Sequence, residues 1–212
     1  MAGPGYTFID GINELVETTG EFPMSGVTKP SAGGDTASIY YLAEKHIDRH
    51  NKRVQTQGWP ENTVYSKSYT PTTVNAVANV VVLSSTVLKI QAASTSEGRP
   101  LVIRVDTADS DTPKIFDANL NSFNLGSTDA VFVDQVELLA FEDLTPELQD
   151  VILTQAKASF QRMFQGNLNL DAVLTAEQMK SDAAASRNNF DTRRAFNESP
   201  MPAPAPRRAT QQ

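Results

Sequence analysis

Residues 141–164, FEDLTPELQDVILTQAKASFQRMF, mark a change from short strand-like runs to a long helix. Thr145 is suited to cap this helix, Pro146 fits its first position, and Glu147 lies beside the positive end of its dipole. Apolar residues then recur at helical spacing as far as Gly166; among them are Leu148, Val151, Ile152, Ala156, Phe160, Met163 and Phe164. We expect other helices to cover Phe160, Met163 and Phe164, because a single apolar stripe needs a partner.

Three further helices are predicted from capping residues and apolar spacing. The first spans Thr7–Thr18, with Thr7 as N-cap and Asp10 three positions later, a variant of the capping box. The second starts near Asp35 and ends at Gln57, before a glycine and a proline. The last one follows from about Leu170.

Between the second and third helices, short runs of β-branched and aromatic residues alternate with turn residues. The predicted strands are Val80–Leu83, Val87–Gln91, Leu101–Val105, Lys114–Phe116, Ser122–Leu125 and Val131–Leu139, with a hairpin connection at Asp117–Asn121. Parallel strands would need long helical crossovers, which this stretch lacks. The pattern therefore favours an antiparallel sandwich or a small barrel.

The predicted fold class is therefore α+β, a four-helix bundle with an inserted antiparallel β-sandwich or small barrel. We expect residues 1–60 and 140–187 to form the bundle and residues 61–139 to form the β domain. Residues 188–212 contain the run SPMPAPAP and are expected to form an extended C-terminal arm.

Composition and charge exclude several classes of function. The 212 residues are 40% hydrophobic, enough for a buried core, and carry a net charge of -7. An acidic surface disfavours a DNA clamp, because nucleic-acid affinity comes mainly from lysine and arginine. The chain has no cysteine, which removes thiolate chemistry and fits synthesis in a reducing cytoplasm. Its start, MAGPG, does not resemble a signal peptide, and its apolar runs are too short for a membrane helix.

The most enzyme-like feature is the pair His46 and His50, which an i, i+4 spacing places on one helix face. A zinc hydrolase would use such a pair, but Ile47 stands where the general-base glutamate should be. These are the only two histidines, so a third ligand would have to be a carboxylate. We interpret the pair as part of a solvated polar helix face and keep a metal-dependent hydrolase as an alternative.

Other chemical motifs are missing or incomplete. The chain contains neither a G-x-S-x-G nucleophile elbow nor a phosphate-binding P-loop. Asp106, Asp109 and Asp111 cluster after a predicted strand, but without the glycine and glutamate of a calcium loop. We expect a solvated turn there. The sequence therefore predicts no enzyme, no catalytic residues, no metal site and no cofactor.

The last 25 residues differ in charge from the rest of the chain. Asn188–Gln212 holds four arginines against two acidic residues, a net charge of +2. Its candidate partner-binding residues are Phe190, Arg193, Arg194, Phe196, Arg207 and Arg208. This composition fits an arm that orders against a partner or a neighbouring subunit. A disordered terminus and a nucleic-acid-binding module that uses this basic segment are the alternatives.

Three stretches, in this order, resemble the tail tubular protein A family of podoviruses, the head-to-tail adaptors. The first is Ile12–Val16 followed by Thr19–Pro23, and the second is Gln57-Gly58-Trp59 at the end of a long helix. The third and strongest is Phe141–Leu148, followed by the alanine-rich helix Ile152–Gln165. Ile115–Asp117 and Ser122–Phe123 are also similar to a hairpin of the family. The resemblance covers residues 6–187.

This resemblance implies a structural protein of the virion tail, assembled in the cytoplasm of a bacterial host. It implies a homo-oligomeric ring, a dodecamer, that joins the portal protein to the tail nozzle protein, with tail fibres as a further candidate partner. Double-stranded DNA would pass through the ring without sequence-specific binding, and the acidic composition suits such a channel because it repels phosphates. We expect no membrane partner.

Overall fold

The computed structural model describes residues 5–26, 28–34, 36–93, 100–106, 112–126, 129–164, 172–184 and 186. The described residues form four helices: α1 (Phe8–Glu17), α2 (Ile39–Gln55), α3 (Pro146–Phe164) and α4 (172–184). The described residues between α2 and α3 form seven strands: β1 (Thr63–Tyr69), β2 (Thr72–Val74), β3 (Val77–Val80), β4 (Val87–Ala92), β5 (Leu101–Asp106), β6 (Thr112–Asp117) and β7 (Val131–Glu137). The α+β class predicted from the sequence is confirmed.

The helix starts show where capping was predicted correctly. Thr7 and Asp10 form a reciprocal capping box at the start of α1, as predicted. The start of α2 is a correction: the helix begins at Ile39, and the Ser38 hydroxyl accepts a hydrogen bond from the Tyr41 amide at 3.2 Å. Both Ser38 and Asp35 are good capping residues, but only Ser38 directly precedes the helical residues.

Helices α1, α2 and α3 enclose one apolar core. Its buried members are Phe8, Ile12, Leu15, Val16, Ala43, Ile47, Val54, Trp59, Phe141, Leu144, Leu148, Val151, Ile152, Leu153, Ala156 and Phe160. Phe160 is fully buried, as predicted, but Met163 and Phe164 are 57% and 40% exposed. The expectation that all three would be covered was therefore wrong for the last turn of α3.

The β region consists of small antiparallel sheets. β7 lies between β1 and β4 in a three-stranded sheet, while β2 pairs with β3 and β5 pairs with β6. None of these sheets closes into a barrel within the described strands. A second apolar core joins β4, β5, β6 and β7 through Val81, Leu83, Val87, Ile90, Leu101, Ile115, Leu125, Val131 and Val133. A shared apolar core therefore connects the three-stranded sheet with the β5–β6 hairpin, and the assignment of the β region as a sandwich stays a prediction.

Several details of the β region differ from the sequence prediction. Neither β1 nor β2 was predicted, and the predicted strand Val80–Leu83 overlaps β3 only at Val80. β1 was missed, because its exposed valine and tyrosine give it no apolar face. The predicted strand Ser122–Leu125 is only an isolated bridge between Asp117 and Ser122. Ser122 and Asn124 accept hydrogen bonds from backbone amides two residues further on, at 2.9 and 2.8 Å. Such local bonds replace a strand ladder. The same bridge closes the predicted hairpin connection.

Candidate assembly surface and its supporting contacts

Contacts between α1 and α3 show that these two helices run in the same direction. Near their starts, the Tyr6 amide donates to the side chain of Gln149 at 2.9 Å. Further along, Glu14 and Lys157 form an ion pair at 2.5 Å. Glu17 ends α1 three residues after Glu14, so the last turn of α3 extends beyond α1. This geometry explains why the described helices leave Met163 and Phe164 partly exposed.

α2 and α4 run in the opposite direction along α3. His46, in the middle of α2, meets Ser159 near the end of α3 at 3.0 Å, whereas Gln55, the last residue of α2, bonds to Leu139 ahead of the start of α3 at 2.8 Å. Thr175, near the start of α4, accepts a hydrogen bond from Arg162 at 3.1 Å. Towards the end of α4, Ser181 donates to Asp150 at 2.9 Å. The ends of α1 and α3 therefore meet the starts of α2 and α4.

Four exposed apolar side chains belong to this end of the helices, which we call the distal end: Phe22, Met163, Phe164 and Val173. Their exposed fractions are 84%, 57%, 40% and 54%. Single exposed apolar side chains are common on protein surfaces, but groups of large ones mark interaction sites. The distal end is therefore the candidate assembly surface of the described residues.

Phe22 is held in place although its side chain is solvent-exposed. Its carbonyl accepts a hydrogen bond from the Tyr40 hydroxyl at 2.9 Å. Two residues later, the Asn13 side chain accepts from the Met24 amide at 2.8 Å and donates to the Met24 carbonyl at 3.3 Å. Pro23 restricts the backbone between these two anchor points. The loop backbone on both sides of Phe22 is thus already held in place, which lowers the entropy lost when the Phe22 side chain binds a partner.

The opposite end of the helices is joined to the β region by a buried polar joint, formed by Asn51, Gln55 and Asn62 with the backbone of Leu139. The Gln55 side chain accepts from the Leu139 amide at 2.8 Å and donates to the Leu139 carbonyl at 3.0 Å. Asn62 donates to the carbonyls of Gln55 and Glu137, both at 3.0 Å. These bonds satisfy backbone groups of both regions, so the polar joint fixes how the β region leaves the helices.

His46 and His50 both contact one hydroxyl on α3. His46 Nδ1 lies 3.0 Å and His50 Nε2 lies 2.9 Å from Ser159 Oγ, which itself donates to the Ala156 carbonyl at 2.9 Å. The His46 ring also packs edge-on against Phe160, with centroids 5.4 Å apart. The pair is thus part of the α2–α3 contact and not the solvated helix face that the sequence suggested.

Burial governs the protonation of both histidines. It lowers the pKa of His46 below 6.5, and Arg49 acts in the same direction. It also lowers the pKa of His50 below 6.5, although a side-chain hydrogen bond with Gln155 opposes it. Neutral imidazoles are therefore favoured near pH 7. Within the described residues, no group of three or more metal-ligating side chains gathers around this pair or elsewhere.

A family model for tail tubular proteins matches residues 9–195, which include all seven strands and, apart from Phe8, all four helices described above. The chain belongs to the tail tubular protein family. It is therefore a structural component of a phage tail, where it assembles into an oligomer, and it is not an enzyme. A search of curated proteins finds none that matches this chain.

This tail tubular protein has no helix, among the residues that the structure describes, that is long and apolar enough to cross a membrane. Of the three aspartates that the sequence groups after a strand, only Asp106 lies within the described residues. Asp109 and Asp111 lie outside them. Asp106 pairs with Lys114 at 2.8 Å, and the lysine side chain is only 3% exposed. Asp106 therefore serves as a counter-ion inside the β5–β6 hairpin.

The predicted arm residues of this tail tubular protein lie outside the described part of the chain: Phe190, Arg193, Arg194, Phe196, Arg207 and Arg208. The structure therefore adds nothing to their predicted role, and the family match ends at residue 195, within the arm.

Sequence reasoning also missed three residues that the structure makes prominent: Phe22, Gln55 and Ser159. A phenylalanine before a proline in a polar loop was a usable signal for Phe22. Nothing local distinguishes Gln55 or Ser159, because their partners are more than 80 residues away.

Proposed function

We propose that this protein is a ring subunit of the adaptor that joins the portal to the tail nozzle of a short-tailed phage. In this proposal a dodecamer forms part of the channel for DNA ejection. The subunit comprises a four-helix bundle (1–60 and 140–187), a β-sandwich domain (61–139) and an arm (188–212). The family supports the tail location, and the distal end supports the contact between subunits.

The exposure of the distal end is the observation that carries this proposal. Phe22 and the last turn of α3 present large apolar groups, while exposed Glu17, Glu21 and Arg162 accompany them. An apolar centre with a charged rim is typical of specific protein interfaces. Head-to-tail contacts around a closed rotation use two different surfaces of each subunit. The distal end would be one of these surfaces.

The acidic composition supports a channel through which DNA slides. The chain carries a net charge of -7, so a ring of identical subunits concentrates negative charge around its axis. Phosphate backbones are repelled by such a wall, and the lack of tight contacts favours rapid passage. A strong interaction with double-stranded DNA at physiological salt would contradict this role and favour a nucleic-acid-binding module.

The main experiment compares two aromatic-to-serine substitutions in the purified full-length chain. Phe22→Ser removes the most exposed of the large apolar side chains described, at 84% exposure, whereas Tyr65→Ser removes a 61% exposed ring from β1. Both variants should fold. We expect Phe22→Ser to reduce the ring fraction at least tenfold in mass photometry and negative-stain images, and Tyr65→Ser to leave it unchanged. Equal ring fractions in both variants and the parent would exclude the distal end as the contact.

The arm is the second part of the proposal. The prolines at 202, 204 and 206 hold the chain extended, and the phenylalanines and arginines can bind apolar pockets and carboxylates of the portal or a neighbouring subunit. We expect truncation after Arg187 to leave a folded subunit that fails to form rings or to attach to filled heads. Attachment of the parent should weaken as salt rises, whereas a matched variant with alanine at all four arginines should retain partial attachment that depends less on salt. If truncation left attachment unchanged, the segment would be a disordered terminus and not an assembly arm.

A further inference from the structure

The hydrogen bonds at Ser159 fix which nitrogen of each neutral imidazole carries its proton. The Ser159 hydroxyl has one proton, which it donates to the Ala156 carbonyl at 2.9 Å. Its lone pairs are left to accept from His46 Nδ1 at 3.0 Å and from His50 Nε2 at 2.9 Å. Each neutral imidazole has one N–H, and both are used by this single oxygen.

The remaining nitrogen of His50 cannot accept a proton without a cost. His50 is 6% exposed, and its Nδ1 is buried without a hydrogen-bond partner in the structure. As a bare lone pair this atom is tolerated, but protonation would create a buried N–H donor. A side-chain hydrogen bond with Gln155 favours the charged form of His50, but burial outweighs it and the pKa stays lowered. It would also place one positive charge beside a second imidazole that binds the same oxygen.

The charged groups around the pair do not offset such a proton. On α2, Arg49 acts on both histidines and Arg53 acts on His50, each disfavouring the charged form. From α3 the neighbours are Ser159 and Gln155, which are neutral. On α4, the Asp182 carboxylate is bound by the Gln155 amide at 3.1 Å. Burial lowers the pKa of both histidines, in agreement with this arrangement.

An aromatic series connects the histidines to the distal end. The His46 ring contacts the buried Phe160 ring, with centroids 5.4 Å apart, and Phe160 contacts Phe164 at 4.7 Å. Phe164 is one of the exposed residues of the distal end. His46 is therefore two ring contacts away from the candidate assembly surface.

We propose that His46, His50 and Ser159 form an acid-sensitive clamp, which holds α2 against α3 only while both imidazoles are neutral. Acidification then separates the helices near the distal end and weakens subunit assembly. The part of this inference that concerns assembly rests on the proposed ring function, whereas the clamp itself does not. Because the folded pKa values lie below 6.5, the clamp contributes full stability above pH 6.5. This contribution is lost as the pH falls through the lowered values.

The first experiment measures the clamp within the full-length subunit. The chain has a single tryptophan, Trp59, which is buried beside the helical core and reports unfolding by fluorescence. We compare urea midpoints at pH 7.5 and pH 5.5 for the parent and for the double variant His46→Gln and His50→Gln, which keeps amide donors but cannot be protonated. The midpoint of the parent should fall by clearly more than that of the variant.

Two controls keep this measurement decisive. Ser159→Ala retains both imidazoles but removes their shared acceptor, so it should destabilise the protein already at pH 7.5. A carbon-13 NMR titration of the two histidines in the parent gives their pKa values directly, whether or not any variant folds. Equal pH shifts in the parent and the double variant, or histidine pKa values of 6.5 or above, would overturn the clamp.

The second experiment tests the link to assembly and separates the two proposals. Mass photometry of the same proteins at both pH values should show rings that dissociate at pH 5.5 in the parent and persist in the double variant. Equal ring loss in both would refute the link between clamp and assembly. If no protein forms rings at either pH while the urea midpoints differ as expected, the clamp is supported and the ring function fails.

Discussion

Replacing Phe160 with alanine tests whether the end of α3 belongs to the helical core. The Phe160 side chain is fully buried and contacts the rings of His46 and Phe164. Removing a buried phenylalanine side chain forfeits its transfer free energy and leaves a cavity, which together cost about 3–5 kcal/mol. We expect Phe160→Ala to lower the free energy of unfolding by this amount, because the neighbouring aromatic rings cannot fill the cavity without losing their own contacts.

Phe164→Ala is the matched control, since it removes the same side chain one turn later, where the residue is 40% exposed. This substitution should lower the free energy of unfolding by at most about 1.5 kcal/mol, because much of the Phe164 ring is already exposed to water. Urea denaturation followed by Trp59 fluorescence gives both values, repeated at two protein concentrations to separate folding from assembly. A loss below about 1 kcal/mol for Phe160→Ala would mean that α3 packs elsewhere.

Three further predictions concern the histidine pair, the polar joint and one glycine. Replacing both His46 and His50 with glutamine should leave assembly and particle infectivity near normal at neutral pH; a severe loss with intact folding would revive a metal role. Gln55→Ala should destabilise the chain by about 1–3 kcal/mol for each buried backbone group that it leaves unpaired, measured by urea denaturation. Gly58→Ala should cost more than Gly34→Ala: both have positive φ, +81° and +77°, but only at Gly58 would the new methyl group meet a neighbour, at 3.2 Å. Equal losses of stability for the two variants would mean that backbone strain alone, and not the contact of the new methyl group, causes the destabilisation.

The helical part of the fold was predictable from the sequence, because its signals are local. The capping box at Thr7, the proline at the first position of α3 and the periodic apolar stripes all act within a few residues. The β region was less predictable, since β1 is recognisable only through its pairing with β7. Strand propensity reflects packing against partners, and those partners are distant in the sequence.

The candidate assembly surface shows the same limit. Helical periodicity identified Met163 and Phe164 as apolar positions, but it could not show that α3 extends beyond α1. That information depends on the relative alignment of two helices, which contacts such as Glu14–Lys157 determine. For the same reason His46 and His50 could be placed on one helix face, whereas their common partner Ser159 could not be predicted.

The pairing of β1 with β7 brings the two ends of the β region side by side, since Thr63 lies opposite Val136. The chain therefore leaves the helices and returns to them at almost the same point, beside the polar joint of Gln55 and Asn62. When the two ends of an inserted region lie side by side, the insertion can be lengthened, shortened or exchanged without changing the distance that the surrounding fold must span. Related phages could thus change the β region without changing the helices, provided that the side chains of the polar joint are kept.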